Sequence, residues 1–173
     1  MSDRIEIIVR GKPAPGGSKT PIPLKRGGRY IFDRNGRIII NMIDAGKGNK
    51  EWRKAVAAAG KVAMSQAGLD DLLDFPLQAT VDFFMPRPKH HYVASNPERP
   101  LRPDAPPRPA SKPDATKLWR STEDALTGVV WVDDGRIVKQ TIEKLYAPRG
   151  SVEGAIIIIE RFKSSTLFEE KSA

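Results

Sequence analysis

The apolar positions of this chain follow two periods. Ile5-Glu-Ile-Ile-Val9, Leu77-Gln-Ala-Thr-Val-Asp-Phe-Phe84 and Ile137–Tyr146 read as strands, the last with alternating character. Ala155-Ile-Ile-Ile-Ile159 is a continuous apolar run, as expected of a strand buried on both faces. Arg29–Asp33 and Arg37–Asn41 flank Asn35-Gly36, which predicts a hairpin. Helical spacing appears twice. Trp52, Val56, Ala59 and Ala63 line one face of a helix over 49–67. Leu118, Thr122, Ala125 and Val129 form the buried side of a second helix over 114–127, and Asp114, Lys117, Arg120, Ser121 and Asp124 share its adjacent polar stripe. Pro113 near the start and Gly128 past the end suit those boundaries. The pattern predicts one α+β domain with a mixed sheet of about five strands and two main helices.

Three segments carry no period. Gly11-Lys-Pro-Ala-Pro-Gly-Gly-Ser-Lys19 follows a strand and comes near the spacing of a phosphate-cradling loop. The residue required to be Lys is Gly17, two prolines remove N–H donors, and Pro21 and Pro23 prevent a following helix. It reads as an irregular basic loop. Met85 to Pro113 holds nine prolines and many basic residues, and is expected to be a long or partly disordered excursion within the domain. His90-His91 within it reads as part of an exposed basic loop, because adjacent histidines without a spaced partner are a poor metal motif. The domain is expected over 1–163, with a frayed tail over 164–173.

Composition narrows the class. A chain of 173 residues with 39% apolar content supports one real core. No apolar run approaches the roughly 20 residues needed to cross a bilayer, and the N-terminus lacks the apolar centre of a signal peptide. The absence of Cys excludes disulfides, thiolate zinc sites and Cys nucleophiles, and fits a cytoplasmic location. The charge of +8 is concentrated: residues 1–61 carry 14 Lys and Arg against 5 Asp and Glu. That bias favours nucleic acid as a partner. Lys12, Lys19, Lys25, Arg26, Lys50, Arg53, Lys54 and Lys117 are the expected phosphate contacts.

Against this basic background, Asp114 opens the second helix, and Asp133 and Asp134 follow its C-terminal turn. Taken singly, these acids suit a helix start and a tight turn. Together, in a polyanion-binding chain, they suit a hard divalent cation such as Mg²⁺, with Mn²⁺ as a substitute. Such an ion polarises a phosphodiester and activates a water, while Lys117, Arg120 or Lys144 would stabilise the developing charge.

Lys112-Pro-Asp114, the helix with Leu118 and Arg120, Asp124-Ala-Leu-Thr-Gly128, Trp131 and then Asp133-Asp134 resemble the RusA family of Holliday junction resolvases. The basic Gly11–Lys19 loop, Trp52-Arg53 with Val56, and Lys144 extend the likeness over most of residues 5–162. The resemblance implies a homodimeric, Mg²⁺-dependent endodeoxyribonuclease acting on four-way junctions, common in phages and prophages. It implies that Asp114 and Asp134 are metal-binding acids, that Asp133 and Asp124 accompany them, and that Arg120 stands where the family often has a catalytic Lys. One departure matters. The family commonly has Asp-x-Asp at the helix start, and here the segment is Asp114-Ala115-Thr116. Thr116 motivates an alternative, a branched-DNA-binding protein that keeps the fold with weakened metal binding. A third reading, RNA binding, lacks the aromatic-rich strand it would need.

Overall fold

The computed structural model describes residues 4–17, 19–44 and 48–163. β1 (Arg4–Arg10) alternates strictly, with Ile5, Ile7 and Val9 inward. Four short strands follow: β2 (Lys19–Pro23), β3 (Lys25–Arg26), β4 (Arg29–Tyr30) and β5 (Ile40–Asp44). Then come α1 (Asn49–Gln66), β6 (Leu77–Met85), α2 (Ala115–Leu126), β7 (Ile137–Tyr146) and β8 (Gly154–Arg161). The main sheet has the order β1-β8-β6-β7. β8 is antiparallel to both neighbours, whereas β6 and β7 are parallel. A parallel pair needs a crossover, and the stretch between them supplies it through α2. The architecture is a single α+β domain with a mixed sheet and two helices, as the periodicity predicts.

Both helices cover the same sheet face: α1 packs on β1 and on α2, and α2 packs on β7. Trp52 and Val56 join Leu118, Trp119 and Leu126 over Ile7, Val81, Phe83, Ile157 and Ile159. Two buried polar bridges set how the helices meet. The Trp52 indole donates to Thr122 Oγ1 at 3.0 Å, and Ser121 Oγ donates to Asn49 Oδ1 at 2.6 Å. Ser121 is thus fully buried, not part of the polar stripe. Gly60 lets the helices close, since a Cβ there would stand 2.8 Å from Leu126 Cδ2.

Among the described residues, no α-helix lies over the other sheet face. β8 is therefore not buried on both sides: Ala155, Ile157 and Ile159 are inside, while Ile156 and Ile158 are half-buried. Ile8, paired with Ile156, is 59% exposed on the same side.

Residues 19–23 are a strand, although two prolines argue for a loop. Lys19–Pro23 pairs antiparallel with Ile40–Asp44, and Leu24 N donates to Ile39 O at 2.8 Å. Counting back from that bonded pair, Pro21 and Pro23 occupy the alternate positions that need no cross-strand N–H. The expected Asn35-Gly36 turn forms, with Gly36 N donating to Asp33 O at 3.1 Å and Gly36 at φ 73°. Its arms pair only through a Phe32–Ile38 bridge, because β4 turns to β3 instead.

The proline-rich excursion is a long loop that docks against β7. Arg87 lies 3.9 Å above the Tyr146 ring and donates to Pro106 O at 3.0 Å. Tyr92 bridges Leu101, and Arg108 pairs with Glu143 at 3.0 Å. His91 is buried, edge-on to Tyr146 at 5.6 Å, and its Nδ1 makes no hydrogen bond. Burial first, then repulsion from His90 and Arg87, lowers its pKa below the ordinary 6.5. A lowered His pKa gives stability that is present above pH 6.5 and lost as pH falls through the folded value. Limited proteolysis between residues 87 and 110 should accelerate below pH 6.5, and His91→Phe should remove that acceleration. The tail over 164–173 lies outside the described residues.

Candidate active site

The acid at the start of α2 is held from behind. Lys144, on β7, donates through Nζ to Ser111 O at 2.7 Å and to Pro113 O at 2.8 Å. Its ammonium group is committed to two carbonyls of the segment that leads into Asp114. Lys144→Met should cost about 2 kcal/mol of stability, the scale of charged hydrogen bonds, and should lower activity through displacement of Asp114. Thermal melts paired with cleavage assays would check both. Asp114 occupies the N-cap position but makes no side-chain cap bond. Its carboxylate stands 3.4 Å from Lys117 Nζ, an exposed pair that contributes little to stability. The capping role therefore does not account for Asp114.

The N-terminal loop closes on the same turn. Gly16 N donates to Lys117 O at 2.9 Å. A Cβ at Gly16 would lie 3.1 Å from the Ser121 Cβ, so glycine permits the approach. This brings Lys12 beside Asp114, where both line one cavity with Lys112 and Lys117.

The second group of acids is positioned by Trp131. This side chain is fully buried, and its indole donates to Thr127 Oγ1 at 3.1 Å. Trp131 O accepts from Gly128 N at 2.8 Å, which folds the chain back after α2. The exposed Asp133 carboxylate accepts from Gly135 N at 2.9 Å. Asp134 begins a single 3-10 turn and lines a cavity of about 500 Å³ with Thr116, Arg120, Glu123 and Asp124.

Glu123 was not a sequence candidate, and it is the residue the structure adds. Its carboxyl pKa is raised, chiefly by burial and next by the negative charge of Asp134. The indole of Trp119, whose Nε1 makes no regular hydrogen bond, pulls the other way. Its position two helical turns beyond Thr116 was the available signal, since residues seven apart return to one face. Asp124 is paired instead with Arg53, at 3.6 Å.

The predicted site residues therefore divide between two cavities that meet at the first turn of α2. Asp114, Lys117 and Lys12 line one, and Arg120 and Asp134 line the other. Asp133 lines neither. Among the described residues, no three Asp, Glu or His groups gather closely enough to hold a metal ion. Of the predicted phosphate contacts, Lys50 and Lys54 are exposed on α1, whereas Arg53 is partly buried against α2. Lys25 and Arg26 form β3, where Lys25 sits 4.5 Å over the Tyr30 ring of β4. Lys19 has a described backbone in β2 only. No helix among the described residues is long and apolar enough to cross a membrane.

A search of curated proteins finds no match to this chain. The family model for endodeoxyribonuclease RusA matches residues 21–157 of the 173. The matched region runs from within β2 into β8 and holds both helices, Asp114, Thr116, Arg120, Glu123 and Asp134. β1 and the Gly11–Lys19 loop precede it. RusA nucleases act on branched DNA and in general depend on divalent metals. With the match covering most of the chain and the acids placed about α2, this protein belongs to the RusA family of endodeoxyribonucleases.

Proposed function

We propose that this protein is a structure-selective endodeoxyribonuclease that resolves four-way junctions by Mg²⁺-assisted hydrolysis. It would act as a homodimer in the cytoplasm of a bacterium or a phage-infected host, in DNA recombination or repair. The observation that carries the reading is the cavity shared by Asp134, Glu123, Thr116 and Arg120, inside a chain of charge +8.

The donor set fits a hard divalent ion. Mg²⁺ is commonly bound by one or two protein carboxylates and keeps several waters. Asp134 and Glu123 supply two in one cavity; burial first, and then the charge of Asp134, raises the Glu123 pKa, and a cation held there would favour the charged form. These two would hold the ion, with Asp114 at the neighbouring cavity and Asp133 fixing the turn that carries Asp134. Once bound, the ion supplies polarisation of the phosphodiester and a water of lowered pKa.

The chain's own residues do the remaining work. Arg120 reaches the Asp134 cavity with a planar fork suited to phosphate oxygens. Lys12 and Lys117 hold the phosphate beside Asp114. Lys144 keeps the 111–113 segment in place so that Asp114 faces the strand. Lys50 and Lys54 track phosphates on the flanking arm. Each phosphate neutralised on duplex DNA should contribute a log–log salt slope near −0.9.

Two symmetry-related sites suit a junction of near two-fold symmetry. The uncovered sheet face, with Ile8, Phe84, Ile156 and Ile158, is the surface we assign to the second copy. Ile8→Asp sedimenting as a monomer would support this, and an unchanged dimer would not.

A second reading has its own observation. Thr116 offers a hydroxyl where the family commonly has a carboxylate, and no three-acid group is present among the described residues. On that reading the protein binds junctions without cutting them. The experiment is a comparison of wild type and Thr116→Asp on junction and linear duplex at equal salt. Junction cleavage by wild type, with little gain in the variant, supports the enzyme. Junction binding without nicks, with cleavage appearing in Thr116→Asp, supports the second reading.

A further inference from the structure

The cavity beside Asp114 has more room and a different chemistry than phosphate binding needs. Its volume is about 740 Å³, and its accessible lining is mainly apolar. Pro13 and Ala14 from the N-terminal loop and Met85 from the end of β6 form a buried floor. Lys12, Lys112 and Lys117 stand on the exposed rim. A backbone phosphate alone would leave that floor unused. An intact duplex cannot enter either, because its bases are stacked inside and its phosphates face outward.

We infer that this cavity receives one unstacked nucleotide next to the strand break, its base on the Pro13–Ala14–Met85 floor and its phosphates on the three lysines. The inference rests on the reading of the protein as a branched-DNA nuclease. Two physical points favour a nucleotide. The lining is mainly apolar, as stacking of a base face requires, and the described lining residues include three Lys against the single carboxylate of Asp114. Branched DNA also supplies such a base at least cost. Unstacking is least costly where the helix is already interrupted, and at the centre of an open four-way junction the stack is broken. Selectivity for branched over linear DNA would then arise in part from this pocket, since only a branch point offers a base that leaves its stack cheaply.

The N-terminal loop is what builds the site. It is clasped to α2 by the Gly16–Lys117 bond, and Lys144 fixes the opposite wall through Ser111 and Pro113. The pocket is therefore preformed, which spares a bound strand the ordering of its own receptor.

The test uses synthetic four-way junctions with 2-aminopurine placed singly at positions flanking the crossover. Full-length protein is added to saturation in EDTA, so that binding is read without cleavage. Among the described residues, no aromatic side chain lines the cavity to quench the probe. The expected result is bright emission at one position, on that junction and not on linear duplex. Ala14→Leu, which fills the floor, should abolish it while junction binding by anisotropy persists. Because a buried position can reject Leu, the exposed Lys112→Glu provides the second variant, and it should dim the same position at saturation. A bound junction that stays dark at every position would overturn the inference alone, as would brightness unchanged in both variants. Failure to bind any branched DNA would overturn the functional reading and this inference with it.

Discussion

Asp134→Asn is expected to abolish strand cleavage while leaving the fold and junction binding intact. The substitution keeps shape at an exposed position and removes one negative charge from the cavity that Glu123, Thr116 and Arg120 share. A metal ion contributes several kcal/mol of charge stabilisation, and each 1.36 kcal/mol is tenfold in rate, so the loss should be on the order of 1,000-fold. The neighbour provides a control. Asp133 uses its carboxylate to accept from Gly135 N, and Asn retains an oxygen for that bond. Asp133→Asn should therefore cost far less than Asp134→Asn. Glu123→Gln should fall between them, because Asp134 keeps its charge. Single-turnover cleavage of a labelled junction, with thermal melts on each variant, orders the three. A Glu123→Gln variant as active as wild type would remove Glu123 from the metal site.

Trp131→Ala is expected to have the largest effect on stability. The side chain is fully buried in the strip that joins α2 to the Asp133–Asp134 turn. Large-to-small changes of this kind cost about 3–5 kcal/mol, a large share of the roughly 5–15 kcal/mol that holds a domain together. The change also leaves Thr127 Oγ1 without its indole donor. Trp131→Phe keeps most of the volume and loses only that bond and some contact area, so it should cost clearly less. Urea unfolding followed by circular dichroism measures both. Equal costs for Ala and Phe would mean that the hydrogen bond, and not the volume, holds this corner.

Much of the fold was legible because its elements bury one face at a regular period. The extents of α1 and β7 follow directly from that pattern. Asp114 at the start of α2 was legible for a related reason, since Pro113 and Gly128 mark the two ends. What the pattern could not convey were features decided by partners far along the chain. Lys19–Pro23 becomes a strand because β5 arrives on the side where the prolines need no N–H. Ser121 reads as surface until Asn49 supplies a buried acceptor. The 85–113 excursion contains no period, yet Tyr146 and Glu143 of β7 give its Arg87, His91 and Arg108 places to dock. The site follows the same division. Residue type and spacing point to Asp134 and Arg120, and the family resemblance points to Thr116; the three do share a cavity. Lys144 reads as a free cation, and only the fold brings two carbonyls to its ammonium group. Glu123 needs the fold as well, because its burial and its nearness to Asp134 are properties of the packed helix, not of local sequence.

The most direct test of the central claim is cleavage of an end-labelled synthetic four-way junction by the wild-type protein, in Mg²⁺ and in EDTA. The account predicts paired, opposed nicks in Mg²⁺ and none in EDTA. Tight junction binding with no nicks in Mg²⁺ or Mn²⁺ would contradict it, and would leave a junction-binding protein in which Thr116 has replaced the acid that the chemistry needs.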